Sequence, residues 1–150
     1  MPVTQAYSSE TIFNDDTCEI AVLKPGNVIL NVMSGDIDEA DFKTQTKAMM
    51  QGVISHHCTW GIVDTTDLGN LSLNARLWMT TRYSRTDEFS QARKMLSGVV
   101  VIRSGSGFTA SLIKMFVKAI GKATGLNIEQ ANTREESFAI IRSKGIEIAA

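Results

Sequence analysis

The chain has 150 residues, 43% of them apolar and 21% charged, with a formal net charge of −1, which suits one globular domain able to bury about 70% of its unfolded surface. A balance so close to neutral supplies no global attraction for nucleic acid or an anionic membrane, and no run approaches the ~18 apolar residues of a membrane span. The start, Met1-Pro-Val-Thr-Gln-Ala-Tyr-Ser-Ser-Glu10, has neither the basic residues nor the apolar core of a secretory signal, so a cytoplasmic protein is expected, with Cys18 and Cys58 as free thiols.

Residues 1–9 read as a polar tail and 10–150 as a single domain. Glu10 to Asn14 is a short strand, Asp15-Asp16 a turn, and Cys18 to Leu23 alternates as a strand does. Lys24-Pro-Gly-Asn27 is a turn, with Pro pre-setting φ and Gly supplying a positive one. Val28 to Met33 completes a hairpin. Gly35-Asp-Ile-Asp38 opens a helix with Asp38 as N-cap and Glu39 and Asp41 in its first turn. Phe42, Met49, Met50 and Val53 recur at helical spacing, and His56-His57-Cys58-Thr59 is the exit. Trp60 to Val63 is a buried strand ending at Asp64, followed by a polar loop, Thr65 to Leu71.

Ser72 caps a second helix on which Leu73, Leu77 and Thr81 share the core-facing side. Ser84 to Lys94 is polar enough for a helix end and surface loop. Met95 to Ile102 is the strongest strand, its β-branched run implying burial on both faces. Arg103-Ser-Gly-Ser-Gly107 turns into the clearest helix, with Leu112, Ile113, Phe116, Val117 and Ile120 inward, Lys114, Lys118 and Lys122 opposite, and Gly125 as the stop. Leu126 to Gln130 is a strand, and Thr133-Arg-Glu-Glu136 is a capping box for a last helix carrying Phe138 and Ile141. The order predicts an α/β domain: a mixed, mostly parallel sheet with an N-terminal antiparallel hairpin and about four helices.

No constellation commits the chain to catalysis, and no cofactor or metal is expected. His56-His57-Cys58 carries ligand chemistry, but adjacent residues at a helix exit point apart. Asp64 and Asp67 flank a loop at the end of a central strand, where α/β ligands bind; they serve either as an acid/base pair or as a strand end and a turn. Gly105-Ser-Gly-Phe-Thr-Ala110 fits the G-x-G-x-x-A dinucleotide pattern between strand and helix, and a tight glycine turn explains it equally well. The binding edge is therefore assigned to Asp64, Thr65, Asp67, Ser72, Arg103, Ser104, Gly105 and Gly107. Trp78 and Tyr83, if exposed, would form a patch for a partner or a second copy of the chain.

Several stretches carry a likeness beyond composition: Val32-Met-Ser-Gly-Asp-Ile-Asp38, Trp60-Gly-Ile-Val-Asp-Thr-Thr-Asp-Leu-Gly69, Gly98-Val-Val-Val-Ile102 and Asn132-Thr-Arg-Glu-Glu-Ser-Phe138. With the order of elements, they make residues 10–145 resemble the small SpoIIAA-like α/β family, relatives of the STAS domains of anti-sigma-factor antagonists. The resemblance implies a mixed sheet whose βα units wind as a shallow superhelix, acting as a binding or switch module; the wider group also resembles CRAL-TRIO-type lipid-binding folds. In the antagonist branch a serine or threonine at the helix start after the central strand is phosphorylated, which makes Ser72 the candidate phosphoacceptor, although the chain reads Gly69-Asn-Leu-Ser-Leu-Asn74 instead of the branch's Asp-Ser-Ser/Thr-Gly-like signature. The expectation is a non-enzymatic module that binds a protein partner or itself as a homodimer, without nucleic acid or a transmembrane segment. The alternative is a small-ligand domain, for nucleotide or lipid, built on the Gly105–Gly107 turn.

Overall fold

The alternating segments near the N-terminus pair as their patterning requires. β2 (Cys18–Leu23) lies antiparallel to β3 (Val28–Ile37), Cys18 opposite Met33 and Leu23 opposite Val28, and β1 (Ser9–Asn14) adds antiparallel along the outer edge of β2. This computed structural model describes residues 8–105 and 107–149. The expected tail therefore lies outside the described residues up to position 7, and Ser9, assigned to it, opens β1. In the turn between β2 and β3 it is Asn27 that takes the positive φ, at 54°. Gly26 is needed for a different reason: a Cβ there would meet the Glu147 carbonyl oxygen at 2.3 Å.

Five α-helices follow among the described residues: α1 (Glu39–His56), α2 (Leu73–Thr81), α3 (Asp87–Met95), α4 (Gly107–Thr124) and α5 (Arg134–Ser143). They alternate with β4 (Trp60–Leu71), β5 (Gly98–Ile102) and β6 (Ile128–Ala131). The sheet order is β1-β2-β3-β4-β5-β6, with β3 to β6 parallel. Because the order never reverses, successive right-handed crossovers return over the same face. Residues of α1, α2, α3 and α4 accordingly share one core with Ile20, Ile29, Val99 and Val101. The opposite face buries Leu30, Ile62, Val100 and Ile102 with Phe138 and Ile141 of α5 and with Ile148, Ile146 packing alongside. β5, buried at all five positions, separates the two cores.

The structure departs from the sequence reading where a neighbouring element decides. Residues 65–71, expected as a loop, continue β4, and 35–37, expected as a helix start, continue β3; Ser34 pairs with Asp67 and Ile37 with Leu71. Leu68 and Leu71 bury there while Asp67 and Asn70 face outward, so a polar-looking run is half core. The expected loop at 84–94 holds a 3₁₀ turn (Tyr83–Arg85) and α3. Thr86 Oγ1 accepts from Phe89 N, Asp87 and Glu88 fill the first turn, and Phe89 and Ala92 are buried. Met95 closes that helix, so β5 begins only at Gly98. On α2 the buried residues are Ala75 and Met79, and Leu73 and Leu77 face solvent, the reverse of the expected orientation.

Candidate functional site

The parallel strands deliver their carboxyl ends to one edge, and Asp64 sits there with 5% of its surface exposed. Its Oδ1 accepts from Thr66 N at 3.0 Å and Thr66 Oγ1 at 2.5 Å. Its Oδ2 accepts from Arg134 Nη2 at 2.8 Å and Nε at 3.2 Å, an ion pair that locks β4, at the level where β5 ends, to the first turn of α5. On the other face Thr65 Oγ1 donates to the Ile102 carbonyl at 2.6 Å, tying β4 to β5. Gly105 N donates to Thr66 O, and Thr109 Oγ1 to Gly69 O, so the turn and the start of α4 fasten to the extension of β4.

The predicted residues therefore separate into groups. Asp64, Thr65 and Gly105 belong to this bonded lattice. Arg103, exposed, Ser104, buried, and Gly107 line a cavity of about 350 Å³ at the ends of β5 and β6, together with Ser111, Lys114 and Asn132. Ser106 of the glycine turn lies outside the described residues. Asp67 is exposed on the β4 extension. Ser72 lies eight residues beyond Asp64, on the order of 25 Å along an extended strand; its Oγ accepts from Ala75 N at 3.1 Å, as an N-cap does. The glycine turn also lacks the crevice of a dinucleotide fold, which opens where strand order reverses; here it does not reverse.

Tyr83 is 3% exposed, stacked on Trp78 with ring centroids 4.8 Å apart, and its hydroxyl donates to Glu88 Oε1 at 2.6 Å. Trp78 is half-buried, edge-on to Phe42 at 6.1 Å. These two form part of the core, and the large apolar residues exposed among those described are Leu73, Leu77 and Met115. At the opposite end of the sheet, His56 Nε2 lies 3.0 Å from Glu10 Oε2, His57 caps α1 in the left-handed conformation, and Cys58 is fully buried. Burial pushes the Cys58 thiol up to about 11, a nearby Lys24 opposing it, and the Cys18 thiol up to about 12 with help from Asp15 and Glu19. Among the described residues no group of three His, Cys, Asp or Glu converges as metal ligands would, and no helix is long and apolar enough to cross a membrane.

Arg134 is readable from the sequence as part of a capping box and as a cation that, with Arg103, could assist the lysine stripe of α4; its pairing with Asp64 is not, because the partner is 70 positions away and no local spacing announces such a pair.

No protein-family model and no curated protein matches the sequence. Solved structures do. A protein of the DUF3478 family with a SpoIIAA-like fold from Shewanella loihica PV-4 superposes with a TM-score of 0.55 at 14% identity, over 85% of this chain and 96% of that one. The anti-sigma factor antagonist SpoIIAA in its unphosphorylated form gives 0.49 at 13% identity, over 93% and 100%. An anti-sigma factor antagonist from Mycobacterium paratuberculosis gives 0.45 at 12%, over 95% and 99%. The chain has the SpoIIAA-like fold.

Proposed function

We propose that this domain is a non-enzymatic binding module that engages a protein partner through the outer face of α2 and α4. The carrying observation is where its exposed large apolar side chains gather. Leu73 (58% exposed), Leu77 (48%) and Met115 (70%) all lie on these two helices, which pack against each other, and clustered exposed apolar surface marks interaction sites. The same face is basic: Arg82 and Arg85 follow α2, Lys114, Lys118 and Lys122 line α4, and no acidic residue occurs in 72–86 or 107–124. The complementary partner offers apolar pockets ringed by acidic side chains. A symmetric pairing of this face with its own copy would oppose like charges. The hydrogen bonds that engage Asp64 favour a structural role for that carboxylate over acid–base work.

A photo-crosslinking amino acid placed at Leu77 or Met115 in the producing cell tests this, with Glu135, exposed on α5, as control position. Discrete protein adducts at the first two positions alone are expected. No adduct, or the same adducts from Glu135, removes the proposal, and an adduct of twice the chain mass replaces the partner by a second copy.

A further inference from the structure

Two cavities meet beneath α4. The inner one, about 120 Å³, lies between the sheet and α1 to α4, walled by Met33, Phe42, Met49, Met79 and Phe116. The outer one is the cavity of about 350 Å³ at the carboxyl edge. Val101 of β5 and Ile113 and Val117 of α4 line both, so a polar mouth adjoins an apolar interior across three aliphatic side chains.

The chemistry differs sharply between the ends. An apolar cavity of about 150 Å³ stays dry and accepts a small hydrocarbon, and the inner cavity is nearly that size. Among its polar groups, the Asn31 amide contacts Cys18 Sγ and Met49 Sδ, Thr65 donates to Ile102 O, and Arg93 Nε donates to Thr124 O. A base or sugar placed there would be poorly matched, whereas methionine walls adapt readily to a hydrocarbon chain. A chain longer than a small hydrocarbon requires α4 to shift outward, where its core-facing Phe116, Val117 and Ile120 are only half-buried. At the mouth Arg103 and Lys114 are exposed cations beside Ser111 and Asn132, against one acid, Glu136, whose carboxylate accepts from Asn132 N. The balance there is positive.

We infer that this cleft binds a single-chain anionic amphiphile, with its hydrocarbon tail under α4 and its carboxylate or phosphate at Arg103 and Lys114. The cleft borders the outer face assigned to a protein partner and shares Lys114 with its basic rim, whereas Leu73, Leu77 and Met115 line neither cavity; a free fatty acid and a lysophospholipid share the required chemistry.

The test titrates the full chain with cis-parinaric acid, read by the probe's fluorescence, and competes it with palmitate, lysophosphatidate and uncharged monopalmitin. Saturable binding is expected, displaced by either anionic lipid and at least about tenfold less well by monopalmitin, the worth of one charge-assisted hydrogen bond; the stronger of the two competitors identifies the source. The double variant Arg103→Glu/Lys114→Glu, at exposed positions, should weaken both anionic lipids about tenfold or more and leave monopalmitin unchanged. Ile113→Trp fills the junction and should abolish binding of all three, with Val117→Trp at a half-buried position serving if the first does not fold. Absence of saturable binding, equal competition by monopalmitin, or indifference to charge reversal overturns the inference. None of these outcomes bears on crosslinking from the outer face.

Discussion

Asp64 shows how one side chain inside a strand acquires its role from a helix that follows much later in the chain. Its ion pair with Arg134 is asymmetric in exposure, the carboxylate side chain 7% exposed and the guanidinium 32%. Asp64→Asn keeps an oxygen for Thr66 and removes the charge facing Arg134. The expected loss is about 1–3 kcal/mol, below the 3–5 kcal/mol of a fully buried pair, because the partly exposed guanidinium recovers water. Urea denaturation measures it, and a loss under about 0.5 kcal/mol would show that the latch contributes nothing to stability. The two thiols make a second residue-scale prediction. Both fold with their pKa raised from 9.0, to about 12 for Cys18 and about 11 for Cys58, chiefly by burial. Below pH 9 folded and unfolded chains hold the same thiol protons. Above it the unfolded chain releases them first, so stability falls as pH rises from about 9 toward 11 and 12. Replacing both cysteines by alanine should make that alkaline limb shallower, the remainder coming from Tyr83, whose burial and hydrogen bond to Glu88 also raise its pKa, and at pH 8 the native thiols should react with a disulfide reagent far more slowly than the unfolded ones.

At the scale of elements, what was legible depended on whether the signal was local. β2 was readable to the residue, and the N-caps Asp38, Ser72 and Thr133 all accept from the backbone three positions on, since capping chemistry acts within one turn. The extension of β4 was hidden because residues 65–71 become strand only with β3 alongside them. α2 was turned over because apolar residues lie all round its nine positions; its burial was decided by Phe42 and Tyr83 packing against Trp78. The carboxyl edge as a location followed from Asp64 ending an apolar run. A small-ligand site beside the Gly105–Gly107 turn and the lysine-bearing helix was among the sequence expectations, but the inner apolar walls were not readable, since they come from strands and helices distant in sequence. Ser72 allows a clean measurement at this scale. Ser72→Ala removes the acceptor for Ala75 N and should cost about 1 kcal/mol, whereas Ser72→Asp, an equally good N-cap with favourable charge at a helix start, should leave thermal stability within about 0.5 kcal/mol. Equal losses in the two variants would show that the cap is not what holds α2. Because the aspartate leaves the fold intact, any change it makes in partner binding reports on charge at Ser72 and not on unfolding.

For the whole molecule, the unreversed strand order has a consequence for stability. It gathers four helices on one face and leaves the other to α5 and the last residues of the chain. That final segment is stitched down as structure: Gly26 N donates to Glu147 O, Ala149 N to Lys24 O, and Arg142 Nη2 to Ile148 O, while Ile148 bridges Pro25 and is 6% exposed. Gly26 belongs to the same closure, since any Cβ there would strike the Glu147 carbonyl. Ile148→Ala should therefore behave as a core truncation, costing about 2–4 kcal/mol, close to the loss for Ile141→Ala at the centre of α5. The measurement is equilibrium urea unfolding of the two variants, with a midpoint shift at unchanged slope. A loss for Ile148→Ala below about 0.5 kcal/mol would mean that α5 seals this face without the segment that follows it. A loss near that of Ile141→Ala would make the covering of the second core a joint property of α5, the 24–27 turn and the terminal segment, three pieces far apart in sequence that the single-direction winding of the sheet leaves to close one face.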